Sequence, residues 1–352
     1  MKKAKKLIAC ILTMTMLLTM IPAQVFAQDS ENPAPGEIIT LPEDYVNGTR
    51  VDESGKKLSN ISAEDLELRD ANVKHFRCED GTYVAASYPM PVHYEENGQW
   101  KDIDNSMVFR ESATVQAFSM EESAAPQNTG SYVNTSSDIS VSLPETLSKT
   151  TGMTLDFGGN PISFGLLCPN ASQGQVITDE SIIAPMAYSA LSEEAVKETN
   201  YEEYLTLSHL TSGVKYENAY PNTDVEYIVS PVGMKENIII KSRQDSYSYT
   251  YHIAADGLTL TLNADKSVTA LNTEGNPVYT IEAPYLFDAD GIESYDVAAA
   301  LNASSDGYDL VYTPDVQWMN SNDRVFPVTL DPSIIVETKK SDILDTYVSS
   351  SE

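Results

Sequence analysis

Residues 224–229 have the sequence DVEYIV, in which polar and apolar side chains alternate. This period of two places Val225, Tyr227 and Val229 on one face of an extended chain, as in a half-buried β-strand. Similar short runs recur roughly every ten residues, separated by Gly, Asn, Asp and Pro. They lie at 236–241, 247–253, 258–262, 268–271, 278–281, 308–312 and 326–330. The pattern predicts a mainly β fold, with an antiparallel β-sandwich or meander sheets.

A tight turn is predicted near residue 98. Asn97 and Gly98 readily adopt the two positive φ angles of a type I′ turn, so the flanking residues should pair as a β-hairpin. Residues 61–75 are typical of a short helix instead, with Ser62 as N-cap and Asp65 three residues later. Together these features predict a small β-rich unit over 61–110 with a short helix near its start.

Amino-acid composition distinguishes further segments of the chain. Residues 28–60 begin with an acidic, Pro-rich stretch and are interpreted as an exposed leader. Residues 111–137 are rich in Ser, Ala, Thr, Asn and Gln and are interpreted as a linker. The alternating runs that follow predict a main antiparallel β domain over 138–338. The chain should therefore contain two β-rich units.

The N-terminus has the features of a secretory signal peptide over residues 1–27. A Lys-rich start precedes an apolar stretch from Leu7 to Ile21, and the small residues Val25 and Ala27 suit cleavage before Gln28. An uncleaved membrane anchor is the alternative, but the apolar run is short for a span of about 20 residues. We therefore expect a secreted protein, extracellular or associated with the cell wall, with no membrane span in its mature form.

The net charge of the chain argues against two classes of binding partner. The 352 residues include 22 Lys and Arg against 52 Asp and Glu, which gives a net charge of −30. Nucleic-acid binding requires a basic face toward the phosphates, so the charge predicts no nucleic-acid partner. It also argues against docking on anionic membranes.

Two cysteines remain once the signal peptide is removed. Cys78 and Cys168 suit one disulfide in an oxidising compartment, or two buried free thiols. Neither belongs to a CxxC pair or lies near a His at ligand spacing. No metal site and no cofactor are predicted.

The histidines show no catalytic pattern. None belongs to an HExxH motif, and no GxSxG motif supplies a nucleophile. Each is interpreted as a strand or loop residue, and no catalytic residue is predicted. The four are His75, His93, His209 and His252.

An acidic turn at residues 288–293, DADGIE, resembles part of a calcium-binding EF-hand loop. Leu286 and Val297 then fall at loop positions 1 and 12, where carboxylates are required, so the EF-hand interpretation fails. A plain acidic turn is expected, and a weaker calcium site stays open. The alternating tyrosines at 247–251 are interpreted as half-buried packing residues with their hydroxyls in water.

Several sequence blocks follow one another in order along the chain: KHF at 74–76, DGTY at 80–83, YPMPVHY at 88–94, GQWKDIDN at 98–105, VKYENAYPNTDVEY at 214–227, KENII at 235–239 and RVFPVTLDP at 324–332. These blocks resemble the N-terminal region of secreted, wall-associated YD-repeat (RHS-type) proteins of Gram-positive bacteria. Residues 343–350, ILDTYVSS, resemble the opening strand of a DNRLRE-type β-domain, so 339–352 is expected to be a truncated start of that domain.

The resemblance implies a fragment of a longer surface protein. We expect a non-catalytic extracytoplasmic β-module that presents or caps a downstream YD-repeat shell, and no enzymatic activity. Its expected partners are that shell or a cell-wall polymer. The alternative hypothesis is an extracellular module that binds or hydrolyses cell-wall polysaccharide.

Overall fold

The computed structural model describes residues 59–88, 90–111, 130–177, 200–205, 207 and 209–337. The predicted signal peptide, almost all of the leader, and the predicted DNRLRE start lie outside these residues. The chain divides into two compact units. Unit 1 comprises Met1–Lys101, Ala184–Ser208 and Asp342–Glu352, and unit 2 comprises Asp102–Ile183 and His209–Ser341.

The described part of unit 1 is built mainly from short strands. Strands β1 to β3 form a three-stranded antiparallel sheet, and β4 pairs with β5. Apolar side chains from the sheet and from helix α1 form a small core: Ile61, Phe76, Cys78 and Leu205. The elements are β1 (Ile61–Glu64), β2 (Val73–Cys78), β3 (Tyr83–Ser87), β4 (His93–Glu96), β5 (Gln99–Asp102) and α1 (Tyr201–Leu205).

Residues 61–75 are mostly extended, in contrast to the predicted helix. Only Leu66–Leu68 is helical, as a single 3-10 turn. The Ser62 hydroxyl donates to the carbonyl of Arg77 at 2.8 Å and caps no helix. Pairing with β2 supplies hydrogen-bond partners to the backbone N–H and C=O groups of this segment. This pairing outweighs the local helix-capping signal.

The hairpin predicted at Asn97-Gly98 is confirmed. Asn97 has φ 55° and Gly98 has φ 75°, and the turn joins β4 to β5. Both angles are those of a type I′ turn, whose twist matches that of paired strands.

The described part of unit 2 contains the remaining strands and one short helix, α2 (Val316–Met319). The strands are β6 (Asp104–Arg110), β7 (Ser131–Ser136), β8 (Ile139–Pro144), β9 (Thr146–Leu147), β10 (Met153–Phe157), β11 (Asn160–Leu166), β12 (Ser172–Val176), β13 (Ser212–Tyr220), β14 (Thr223–Ser230), β15 (Gly233–Ile240), β16 (Tyr249–Ala254), β17 (Thr259–Leu262), β18 (Val268–Leu271), β19 (Pro277–Ile281), β20 (Tyr285–Phe287), β21 (Glu293–Ser294), β22 (Val297–Ala303), β23 (Tyr308–Pro314), β24 (Val328–Asp331) and β25 (Ile334–Val336).

Two sheets organise unit 2. The eight-stranded sheet has the order β22-β23-β16-β11-β10-β8-β7-β6. The twelve-stranded sheet has the order β17-β18-β19-β25-β15-β14-β13-β12-β9, while β24 pairs with β15 and β20, and β20 pairs with β21. The mainly β, antiparallel fold is thus confirmed.

One hydrophobic core joins the two sheets. Leu155 and Ile253 of the eight-stranded sheet belong to the same buried cluster as Val225 and Ile238 of the twelve-stranded sheet. The faces of the two sheets therefore pack against each other as a β-sandwich. Val225, Tyr227 and Val229 are all buried on one face of β14, as their alternation predicts.

The segment predicted as a linker, 111–137, contains strand β7, which pairs with β6 and with β8. Residues 112–129 of that segment lie outside the described part of the chain. The described residues include no helix that is both long enough and apolar enough to cross a membrane.

Candidate functional site

The four histidines lie on different parts of the structure. In unit 1, His75 lies on β2, and His93 is buried and donates from Nδ1 to the carbonyl oxygen of Asp70 at 2.6 Å. In unit 2, His209 Nδ1 lies 3.0 Å from the Ser106 hydroxyl. The absence of a catalytic histidine stays a prediction.

His252 lies beside two carboxylates. Its Nδ1 lies 2.9 Å from Asp309 Oδ1, and its Nε2 lies 3.4 Å from Asp306 Oδ1. Asp309 is its direct cross-strand neighbour on β23. Two carboxylates thus orient the ring, which is itself only 6% exposed.

The acidic turn at 288–293 is held by a buried ion pair. The Asp288 carboxylate accepts from the backbone N–H groups of Asp290, Ile292 and Val325, and Arg324 Nη1 lies 2.7 Å from its Oδ2. The guanidinium therefore balances the charge of this buried carboxylate. Within the described ranges, no group of three or more His, Cys, Asp or Glu side chains is arranged to hold a metal ion.

Both cysteines of the described chain are buried, Cys78 in unit 1 and Cys168 in unit 2. Burial raises the pKa of the Cys168 thiol to about 12. A thiol with such a pKa is almost entirely protonated at neutral pH and is a poor nucleophile.

The carboxyl group of Glu236 is buried between the sheets of the sandwich. Glu236 on β15 is only 2% exposed, and its face of the strand is shared with Ile238 and Ile240. Tyr227 is its direct neighbour on β14, while Tyr251 and Tyr312 approach from the eight-stranded sheet. Tyr251 and Tyr312 pack edge to face, with ring centroids 5.8 Å apart. We call these four residues the Glu236 cluster.

Burial dominates the electrostatics of the Glu236 cluster. Burial raises the pKa of Glu236 to about 8. The hydroxyls of Tyr227 and Tyr251 act in the opposite direction and lower this pKa, whereas the charge of Asp331 raises it further. Those hydroxyls lie near the carboxyl, but neither reaches the geometry of a full hydrogen bond, and Glu236 Oε1 has no partner. The group is therefore mostly protonated at neutral pH.

Acidic side chains that line a cavity and have a strongly shifted pKa are often catalytic. The cavity beside Glu236, however, is very small. It leaves about 10 Å³ for a water-sized sphere, far less than the several hundred Å³ of a typical ligand pocket. A nucleotide or sugar does not fit beside Glu236.

The outer face of the twelve-stranded sheet carries a second feature, an aromatic ladder of Tyr295, Tyr285 and Phe287. The rings of Tyr285 and Tyr295 are stacked with centroids 6.0 Å apart, and Phe287 follows at 5.9 Å from Tyr285. Tyr295 is 58% exposed. Lys235 Nζ lies 5.8 Å from the centre of the Phe287 ring and is paired with Asp331 at 2.6 Å. The open ring of Tyr295 suits stacking on a planar partner.

Sequence reasoning missed both features. The signal for Glu236 was visible, because KENIII places Glu236 at an inward position of an alternating strand. The tyrosines at 247–251 were expected to keep their hydroxyls in water, and that expectation was wrong. Tyr247, Tyr249 and Tyr251 are each at most 3% exposed, because a second sheet covers their face.

Comparison with known proteins gives three relatives with related names. The chain is 23% identical over 359 aligned positions to tRNA3(Ser)-specific nuclease WapA of Bacillus spizizenii, to tRNA(Glu)-specific nuclease WapA of Bacillus subtilis subsp. natto and to tRNA nuclease WapA of Bacillus subtilis strain 168. Each alignment covers 98% of this chain but only 14% of the relative. No protein-family model matches the chain.

These relatives correct the expected family and function. The resemblance to YD-repeat, RHS-type proteins with a DNRLRE domain is not supported, since the relatives are named as WapA tRNA nucleases. The expectations of a non-catalytic module, or of one directed at wall polysaccharide, are overturned by the same names. The exclusion of nucleic acid is corrected too. A net charge sums over all residues of the chain, and it therefore does not exclude a local contact with RNA.

Proposed function

We propose that this chain is a β-sandwich region of a WapA-like tRNA nuclease and that tRNA cleavage is the activity of the protein to which it belongs. The alignment of 98% of the chain with three proteins named tRNA nucleases carries the proposal. Because the chain spans 14% of those relatives, the proposal assigns the reaction to the protein as a whole.

Within the described residues, the aromatic ladder has the chemistry that best suits RNA. Unpaired bases stack on exposed aromatic rings, with about 1–3 kcal/mol per base. Tyr295 presents an open ring, and Tyr285 and Phe287 support it from below. Asp331 neutralises Lys235, so the contact offered by the ladder is stacking and not phosphate binding.

The activity is tested with the complete product of the gene that encodes this chain. It is incubated with total bacterial tRNA, and the products are separated on a denaturing gel. We expect one tRNA species, or a small set, to be cut at a defined position. Intact tRNA under conditions in which the Bacillus subtilis relative cleaves its substrate would overturn the proposal.

The contribution of the ladder is measured in the same assay. Tyr295→Ala should raise KM at least about fivefold with little change in kcat, because a stacking contact made in the ground state is lost. Tyr83→Ala removes a tyrosine of similar exposure, 49%, from the sheet of unit 1 and serves as the matched control. Equal KM values for the two variants would show that the aromatic ladder does not contribute to tRNA binding.

We further propose that the protein is exported. The Lys-rich start, the apolar stretch and the Val25-Phe26-Ala27 site support cleavage before Gln28. N-terminal sequencing of the protein from a Gram-positive culture should give Gln28 as the first residue. An intact Met1 in a cytosolic pool would contradict export.

A further inference from the structure

The small cavity beside Glu236 has a mixed lining. Glu236, Tyr251 and Tyr312 border it together with five apolar side chains, and it leaves about 10 Å³ for a water-sized sphere. That volume is at the lower limit of what one water molecule requires. Larger ligands are excluded by size.

Polar atoms around the cavity lack partners. Glu236 Oε1 and the hydroxyls of Tyr251 and Tyr312 are buried and have no hydrogen bond of acceptable geometry. Buried polar groups in folded proteins are nearly always hydrogen-bonded, to protein or to ordered water. Three such groups from two facing sheets, bordering one cavity, indicate a shared partner.

We propose that the cavity binds one internal water molecule, which bridges Glu236 of the twelve-stranded sheet to Tyr251 and Tyr312 of the eight-stranded sheet. Water has two donors and two acceptors, and it therefore donates to Glu236 Oε1 and accepts from the tyrosine hydroxyls. Each phenol gains an acceptor that no neighbouring side chain supplies in good geometry. The bridge adds a polar contact to an otherwise apolar interface between the sheets.

The electrostatics of the site favour a neutral ligand over a cation. The groups that face Glu236 are the neutral phenols of Tyr227, Tyr251 and Tyr312, with Asp331 as the further carboxyl that acts on it. Burial raises the pKa of Glu236 to about 8, so the carboxyl is protonated at neutral pH and offers no charge to a metal ion.

The test is a crystal structure of the protein at pH 6 and a resolution of ~1.2 Å. We expect one spherical density peak at roughly 2.6–3.2 Å from Glu236 Oε1 and from at least one of the two tyrosine oxygens. Glu236→Leu should remove the peak, and Tyr312→Phe should remove it or lower its occupancy. Tyr249→Phe deletes a buried hydroxyl from the strand of Tyr251 without touching the cavity lining, and the peak should persist in that variant.

Several results would overturn the water site. One is a cavity without density in the wild-type protein. Another is a peak with oxygen contacts at roughly 2.0–2.4 Å, which would identify a metal cation. A peak that persists unchanged in both Glu236→Leu and Tyr312→Phe would show that other groups hold the ligand.

Discussion

Asp288 and Arg324 form a buried ion pair, with Oδ2 of the carboxylate 2.7 Å from Nη1 of the guanidinium. The Asp288 side chain has no exposed surface, and the Arg324 side chain is 9% exposed. The guanidinium also stacks over the indole of Trp318, at 4.2 Å from the ring centroid. Asp288 thus ties the turn after β20 to the segment that precedes β24.

Removing the carboxylate should destabilise unit 2 strongly. Asp288→Ala leaves the Arg324 charge buried and three backbone N–H groups without their acceptor, and we expect a loss of about 3–5 kcal/mol in the free energy of unfolding. Chemical denaturation measures it. Asp290→Ala, an exposed neighbour in the same turn, is the control and should change stability by less than about 0.5 kcal/mol. Similar losses in both variants would contradict the role of the ion pair.

The hydroxyl of Tyr279 links the two sheets of the sandwich. It donates to the carbonyl of Asn160 at 2.6 Å and accepts from the N–H of Phe157 at 2.8 Å, so β19 is joined to the β10–β11 hairpin. Tyr279→Phe keeps the ring but leaves both backbone groups unpaired. We expect a loss of about 1–3 kcal/mol.

The matched variant for this measurement is Tyr295→Phe, which removes the hydroxyl of an exposed tyrosine. Its effect should stay below about 0.5 kcal/mol. If thermal unfolding gives the same midpoint for Tyr279→Phe and the wild-type protein, the bridge does not contribute to stability.

The strands and their buried faces could be predicted from sequence, but their partners could not. Alternation located β14 and β15, and the Asn97-Gly98 pair located one turn, because both signals are local. Strand β15, however, pairs with β14 on one side and with β24 and β25 on the other, and the latter lie far along the chain. Such pairings follow from the packing of the whole core, which no short window of sequence contains.

The Glu236 cluster illustrates the same limit. The inward position of Glu236 follows from the alternation of its strand, yet Tyr251 and Tyr312 reach it only because the second sheet covers that face. The raised pKa depends on this coverage and not on neighbours in sequence. Likewise, the 61–75 segment has a helix-capping pattern but is extended because β2 offers it a pairing edge.

Thiol accessibility is expected to report the folded state. Cys78 and Cys168 are buried thiols, each at most 3% exposed, so the protein lacking its first 27 residues should not react with DTNB at pH 8. Two thiols should react after denaturation. Cys168→Ser lowers that number to one and identifies the second thiol. Absence of any reaction in denaturant would show that the two cysteines form a disulfide.

Glu236 should make the stability of the protein decrease as pH rises from 4.5 to 8. The folded state holds the proton up to a pKa of about 8, whereas the unfolded chain releases it near the ordinary value of 4.5. Between those values the unfolded state is favoured progressively, by about 1.4 kcal/mol per pH unit. At pH 7 the accumulated cost is about 3 kcal/mol.

Glu236→Gln is neutral at every pH and avoids this cost. The variant should therefore be more stable than the wild-type protein at pH 7, by a similar amount, and nearly as stable as the wild-type protein at pH 4.5. Urea denaturation between pH 4.5 and 8 measures the difference, and Glu217→Gln, at an exposed position on β13 of the same sheet, controls for the loss of one negative charge. A stability difference between Glu236→Gln and wild type that does not grow with pH would show that the carboxyl is already ionised in the folded protein.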